Sequence, residues 1–132
     1  MSTNKPQPLA VITGGASGIG LGAVKRFLKE GYEVLSLDAN KEAGDKSIND
    51  LKSDTYKLNF THCDITNHSQ IESIFNALLE EKRPAQVLIN CAGISPALNP
   101  LHEYSVDEWL RTIDINLHAV SYTHLTLPTI LL

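Results

Sequence analysis

At 132 residues, 42% hydrophobic and 20% charged, the chain has the length and balance of one globular domain with a modest core. A net charge of -4, with neither a basic stripe nor an arginine cluster, argues against nucleic acid or an anionic membrane as the main partner. Cys63 and Cys91 are too few and too far apart for a disulfide framework, and neither sits in a CxxC or metal-ligand spacing.

Strand and helix patterns alternate along the chain. Leu9–Ile12 is a short apolar run closing on a glycine-rich turn, the pattern of a buried parallel strand. Ile19–Glu30 reads as a helix with Val24, Phe27 and Leu28 on one face and Gly31 as its stop. Val34–Leu37 is a second strand, closing on Asp38, and Lys41–Leu51 is a polar helix expected to lie exposed. Residues 56–62 form a weaker third strand that ends at Cys63 and Asp64. Asn67 and Gln70 resemble a capping pair, followed by Ile71, Ile74, Phe75, Leu78 and Leu79 at amphipathic spacing. Gln86–Ile89 is the fourth strand and runs into Asn90, Cys91, Ala92 and Gly93. Ser105 and Glu108 make a capping box for a helix expected to turn Val106, Trp109, Leu110, Ile113 and Leu117 inward. The expected fold is α/β: a Rossmann-like, doubly wound parallel sheet of strand order 3-2-1-4, truncated after the fourth strand.

The chemistry begins at Thr13–Gly20, between the first strand and its helix. A dinucleotide needs its pyrophosphate against backbone N–H groups at a helix N-terminus, where the dipole favours negative charge. Side chains at Gly14, Gly18 or Gly20 would obstruct the turn or the approach of backbone to phosphate. Asp38 stands eighteen positions beyond Gly20, at the second strand's tip, where a carboxylate can accept hydrogen bonds from ribose hydroxyls. A solvated or helix-capping aspartate is the alternative. The carboxylate would also repel the extra phosphate of NADP, at about 4 kcal/mol for two like charges 4 Å apart in an effective dielectric of 20. No arginine or lysine stands at Ser17 or Ala39 to offset this, so NAD is the expected cofactor over NADP.

Thr13-Gly14-x-x-x-Gly18-x-Gly20, Asp38, Asp64, Asn90-x-Ala92-Gly93 and Asn116 together resemble the short-chain dehydrogenase/reductase family, over residues 9 to about 119. The resemblance implies a cofactor site that includes Gly14, Ser17, Gly18, Ile19, Gly20 and Asp38. It also implies that Asp64 and Ile65 border the adenine, although Asp64 as a plain helix cap stays open. Asn90, Ala92 and Gly93 would steady the central strand and line the cofactor, with Ile94 near the nicotinamide. Asn116 would be the first member of the family's Asn-Ser-Tyr-Lys catalytic set. Cys91 reads as a small buried filler and Trp109 as core or interface packing; the five histidines show no metal-ligand spacing.

The rest of that catalytic set is missing. The last lysine is Lys82, so no Tyr-x-x-x-Lys pair follows the fourth strand, and Tyr122 has Thr126 where the lysine would stand. Without a cationic neighbour a tyrosine keeps its pKa near 10 and makes a poor general acid or base at neutral pH. Val120–Thr129, with three threonines and a proline, is poor helix material and is similar to one translated frame of a mosaic-end sequencing adapter. The domain is therefore expected to span 1–119, with 120–132 as an artefactual tail; a genuine but unusual C-terminus is the alternative.

Two functional expectations follow. The parent would be an NAD-dependent oxidoreductase acting on a small-molecule alcohol or carbonyl, a homo-oligomer by resemblance; this chain alone would be inactive. The other reading is a non-catalytic nucleotide-binding module or a nonfunctional gene fragment. The polar stretch Met1–Pro8 and the absence of a bilayer-length apolar run lead to the expectation of a cytoplasmic protein with no membrane or nucleic-acid partner. With no later strand, the fourth would be an unpaired edge beside exposed apolar helix faces.

Overall fold

Alternate side chains of Leu9–Thr13 (β1) feed two separate apolar clusters, and this alternation organises the molecule. The computed structural model describes residues 6–126. Leu9 and Val11 pack with Ile71, Phe75 and Leu78 of helix α3 (His68–Glu80). Ile12, on the opposite face, packs with Val24 and Leu28 of helix α1 (Gly18–Lys29). Both faces of β1 are covered, so its five residues are all buried, as a central parallel strand requires. Each large side chain taken out of water on these faces contributes about 1.5–3 kcal/mol.

Strands β2 (Glu33–Asp38), β3 (Leu58–His62) and β4 (Ala85–Asn90) complete a parallel sheet of order β3-β2-β1-β4. The register slips once, between Leu9↔Ala85 and Ala10↔Val87. The skipped Gln86 compensates with its side-chain oxygen, which accepts from the Leu9 N–H at 2.6 Å. The chain winds outward from β1 to β3 and then returns to the other side of β1 as β4. That reversal opens a crevice beyond the C-terminal ends of β1 and β4.

The local stop and start signals act as their chemistry requires. Gly31, at φ 84°, turns the chain after α1, and its N–H donates to Leu28 O at 3.1 Å. Asn40 caps α2 (Lys41–Asp50) by accepting from Ala43 N. This helix is less exposed than its polarity suggests, because Gly44 and Ser47 are buried. Asn67 caps α3 through Gln70 N, but the Gln70 side chain does not close a box: it spans His62 O and Asp64 N instead. Ser105 and Glu108 do form the reciprocal box at the start of α4 (Val106–Ile113). The Ser105 backbone N–H, then its hydroxyl, hold the Glu108 carboxyl below its ordinary range.

Two expectations fail beyond β4. The face of α4 does not turn inward: Val106 is 71%, Trp109 51%, Leu110 57% and Leu117 55% exposed. Among the described residues the sheet ends at β4, and Ile115 and Ala119, further along the helix, reach the core beside α3. The helix also does not stop at Ala119. A π-helical segment, Asp114–Ala119, leads directly into helix α5 (Val120–Thr126). Low propensity, roughly 0.5 kcal/mol per residue, is outweighed here by packing on α3. Thr123 is fully buried, with its hydroxyl donating to Ala119 O at 2.8 Å, and Tyr122 meets His68 edge to face at 3.5 Å. Pro128 and Thr129, also counted against a helix, lie outside the described residues.

Candidate functional site

The crevice at the strand ends is an open cleft of about 780 Å³. Its floor is set by Thr13, whose hydroxyl accepts from Cys91 N at 3.3 Å and Ala92 N at 3.2 Å, drawing the end of β4 against the end of β1. Gly14 follows at φ 66°, and a Cβ there would press on the backbone of Cys91 and Ala92. A Cβ at Gly20 would overlap the carbonyl oxygen of Gly14. The glycine turn is therefore tight on its inner side for reasons internal to the protein.

Its outer side is open. A Cβ at Gly18 would meet nothing within 4 Å, and Ser17 makes no side-chain cap at the start of α1. No acidic residue occupies the first turn of that helix. The leading N–H groups, and the positive end of the helix dipole, are thus available to an anion at the cleft.

Asp38 sits at the tip of β2 and is held from two sides. One carboxylate oxygen accepts from Ala16 N at 3.0 Å in the glycine turn, and the other accepts from Asn40 N at 2.9 Å before α2. It is therefore more than a solvated residue, and Asn40, not Asp38, caps α2. A carboxylate offers about four acceptor positions, so capacity remains for ligand hydroxyls. Asp64 is turned into its own loop, accepting from Thr66 N at 3.0 Å and Thr66 Oγ1 at 2.8 Å, with Asn67 as the helix cap.

Gly14, Ser17, Gly18, Ile19, Gly20, Asp38, Asp64, Ile65, Ala92, Gly93 and Ile94 all line this one cleft. Asn90 does not: it ends β4 opposite Thr13 with its side chain exposed. Asn116, in the π-helical segment, reaches the cleft's rim indirectly. Its Oδ1 accepts from Ile94 N and its Nδ2 donates to Ile94 O, each at 2.9 Å. Such a bulge displaces a side chain from ordinary α-helical phase and is frequent at functional positions.

Both cysteines line the cleft as well. Cys63 is buried; burial, and then the neighbouring Asp64 carboxylate, push its thiol up to about 11. Cys91 is half-buried, more open than the buried filler expected of it. Lys41 and Arg111 also contribute to the wall and were not singled out by motif. Arg111 carries no spacing signal, because α4 approaches the cleft only through the tertiary fold. Among the described residues no three His, Cys, Asp or Glu side chains gather as a metal site, and no helix is long and apolar enough to cross a membrane.

A glycine turn leading into an uncapped helix, at the switch point of a 3-2-1-4 parallel sheet, defines a Rossmann-type dinucleotide-binding architecture. The chain belongs to the short-chain dehydrogenase family, whose description, short chain dehydrogenase, matches residues 8–131. This is a family of oxidoreductases that bind nicotinamide cofactors. The chain is 36% identical over 113 residues to 3beta-hydroxysteroid dehydrogenase 2 of Eggerthella lenta, covering 86% of this chain and 44% of that protein. It is 32% identical over 112 residues to cyclopentanol dehydrogenase of Comamonas testosteroni, covering 85% and 44% respectively. Among solved structures, an F189W actinorhodin polyketide ketoreductase with NADPH superposes with a TM-score of 0.83 at 28% identity, covering 92% of this chain and 46% of that one. The chain thus spans under half the length of these relatives.

Proposed function

We propose that this chain is the cofactor-binding part of an NAD-dependent oxidoreductase whose substrate is an alcohol or carbonyl, and that it binds NAD(H) without completing turnover by itself. The observation that carries this is Asp38, fixed by Ala16 N and Asn40 N at the edge of a cleft that an open helix N-terminus also faces. The dinucleotide, when bound, supplies the hydride donor or acceptor. The start of α1, from Ser17 to Gly20, would hold its pyrophosphate, and Asp38 would accept from the adenosine ribose hydroxyls while disfavouring a 2′-phosphate. Ile65, Ala92, Gly93 and Ile94 would form the apolar wall, and Asp64 would border the adenine end. Asn116 holds the Ile94 backbone in place beside them.

Turnover also needs a proton donor and acceptor, and the sequence has no lysine after Lys82 to pair with a tyrosine. The names of the two dehydrogenase relatives support a hydroxyl-bearing substrate for the whole protein. The ketoreductase structure contains NADPH, so the preference for NAD rests on Asp38 alone. A cytoplasmic setting and a homo-oligomeric parent belong to the same reading. So does the assignment of residues 120–132 as foreign sequence; an uninterrupted frame through that segment in source DNA would overturn it.

The test is calorimetric titration with NADH together with an assay of secondary-alcohol oxidation. Saturable binding with no turnover supports the proposal. Turnover by the 132-residue chain contradicts the inactivity, and a folded chain that does not bind contradicts the cofactor site.

A further inference from the structure

We infer that Arg111 is a cofactor-anchoring cation, a binding residue that no motif of the chain marks. It lines the cleft from α4, a turn before Ile115, which shares that wall. The cleft has two cationic side chains among the described residues. Lys41 is engaged, its Nζ 2.5 Å from Asp45. Arg111 forms neither an ion pair nor a side-chain hydrogen bond with any described residue.

Side chains three or four residues apart on a helix are neighbours, and Asp107, Glu108 and Asp114 stand at those spacings from Arg111. Glu108 is taken by Ser105, whose N–H and hydroxyl it accepts at 3.0 and 2.8 Å. Asp114 lies 3.6 Å from His118, and Asp107 is left without Arg111 as a partner. The carboxylates of the cleft itself pair with neither cation: Asp38 accepts from Ala16 N and Asn40 N, and Asp64 accepts from Thr66. The guanidinium therefore lines the cleft without an ion-pair partner, beside an open helix N-terminus that also favours negative charge. A dinucleotide brings two phosphate charges into that space, and Arg111 offers them, or the adenosine they carry, a planar cation.

This inference rests on the dinucleotide reading of the cleft, and its test separates the two. NADH affinity is measured by calorimetry at about 50 mM and about 300 mM salt for the wild type, Arg111→Gln, Arg111→Lys and Arg26→Gln. Arg26 pairs with Glu30 away from the cleft and controls for the change in net charge. Arg111→Gln should weaken NADH binding about tenfold at low salt and flatten its salt dependence. Arg111→Lys should recover part of the loss, and Arg26→Gln should match the wild type. Thermal unfolding of each variant confirms an intact fold. Equal affinity and equal salt dependence in Arg111→Gln overturn the role of Arg111 while leaving the cofactor site standing. A folded wild type that does not bind NADH overturns both.

Discussion

Asn116 and Ile94 hold one another by two 2.9 Å hydrogen bonds, side-chain amide to backbone peptide, so that the π-helical segment after α4 pins the loop that leaves β4. An asparagine suits this task because its amide presents one donor and one acceptor in a plane, matching a residue's own N–H and C=O. A carboxylate would supply only the acceptor. Asn116→Ala should therefore destabilise the chain by about 1 kcal/mol, and Asn116→Asp should restore less than half of that. Denaturant unfolding gives the stability, and faster hydrogen exchange at the Ile94 amide locates the loss. Unchanged protection there would contradict the pairing.

Gly20 and Gly22 occupy the same helix and should respond in opposite directions. A Cβ at Gly20 would overlap Gly14 O, whereas one at Gly22 would meet nothing within 4 Å. Gly20→Ala should cost about 3 kcal/mol or more and abolish NADH binding, because relief requires the turn to open. Gly22→Ala should stabilise by about 0.5–1 kcal/mol through helix propensity and leave binding alone. Thermal melts of the two variants, read side by side, check the tightness of the turn.

Asp38 joins the glycine turn to the start of α2 and carries the proposed cofactor preference. Asp38→Asn removes the charge while keeping most of the shape. NADH affinity should fall, and the ratio of NADH to NADPH affinity should drop by about tenfold or more. An unaltered ratio would mean that discrimination lies elsewhere in the cleft.

Cys63 gives a dependence on pH with a definite sign. Its thiol ionises near 9.0 when unfolded and is pushed up to about 11 in the fold, first by burial and then by Asp64. The folded state keeps the proton longer, so the stabilisation is complete below pH 9 and is lost as pH rises towards 11. The stability difference between wild type and Cys63→Ala should shrink by about 2 kcal/mol over that interval. A difference that stays flat would contradict the burial of the thiol.

Much of this fold was legible because its signals are local. Gly31 stops α1, Asn67 caps α3, and Ser105 with Glu108 closes a box, each set by residues within a turn, whereas the Asn40 cap of α2 was not read from the sequence. The parallel, doubly wound sheet followed from alternation and handedness, its order 3-2-1-4 from the Rossmann-like reading, and the glycine turn from its spacing. What was not legible depends on what lies across space. The apolar face of α4 has the period of a buried helix, yet no described element covers it. Val120–Thr126 has poor propensity, yet it is helical because Thr123 and Tyr122 pack beside α3. Gln70 carries the capping-box residue type, yet His62 O and Asp64 N offer its side chain other partners. Arg111 and Lys41 reach the cleft by tertiary approach, and the sequence carries no pattern for that.

The most direct test of the account is titration of the purified, folded chain with NADH and with NADPH under the same salt and pH. One saturable site per chain is expected, with NADH bound at least about tenfold more tightly than NADPH. Absence of NADH binding by a folded chain, or tighter binding of NADPH, would contradict it.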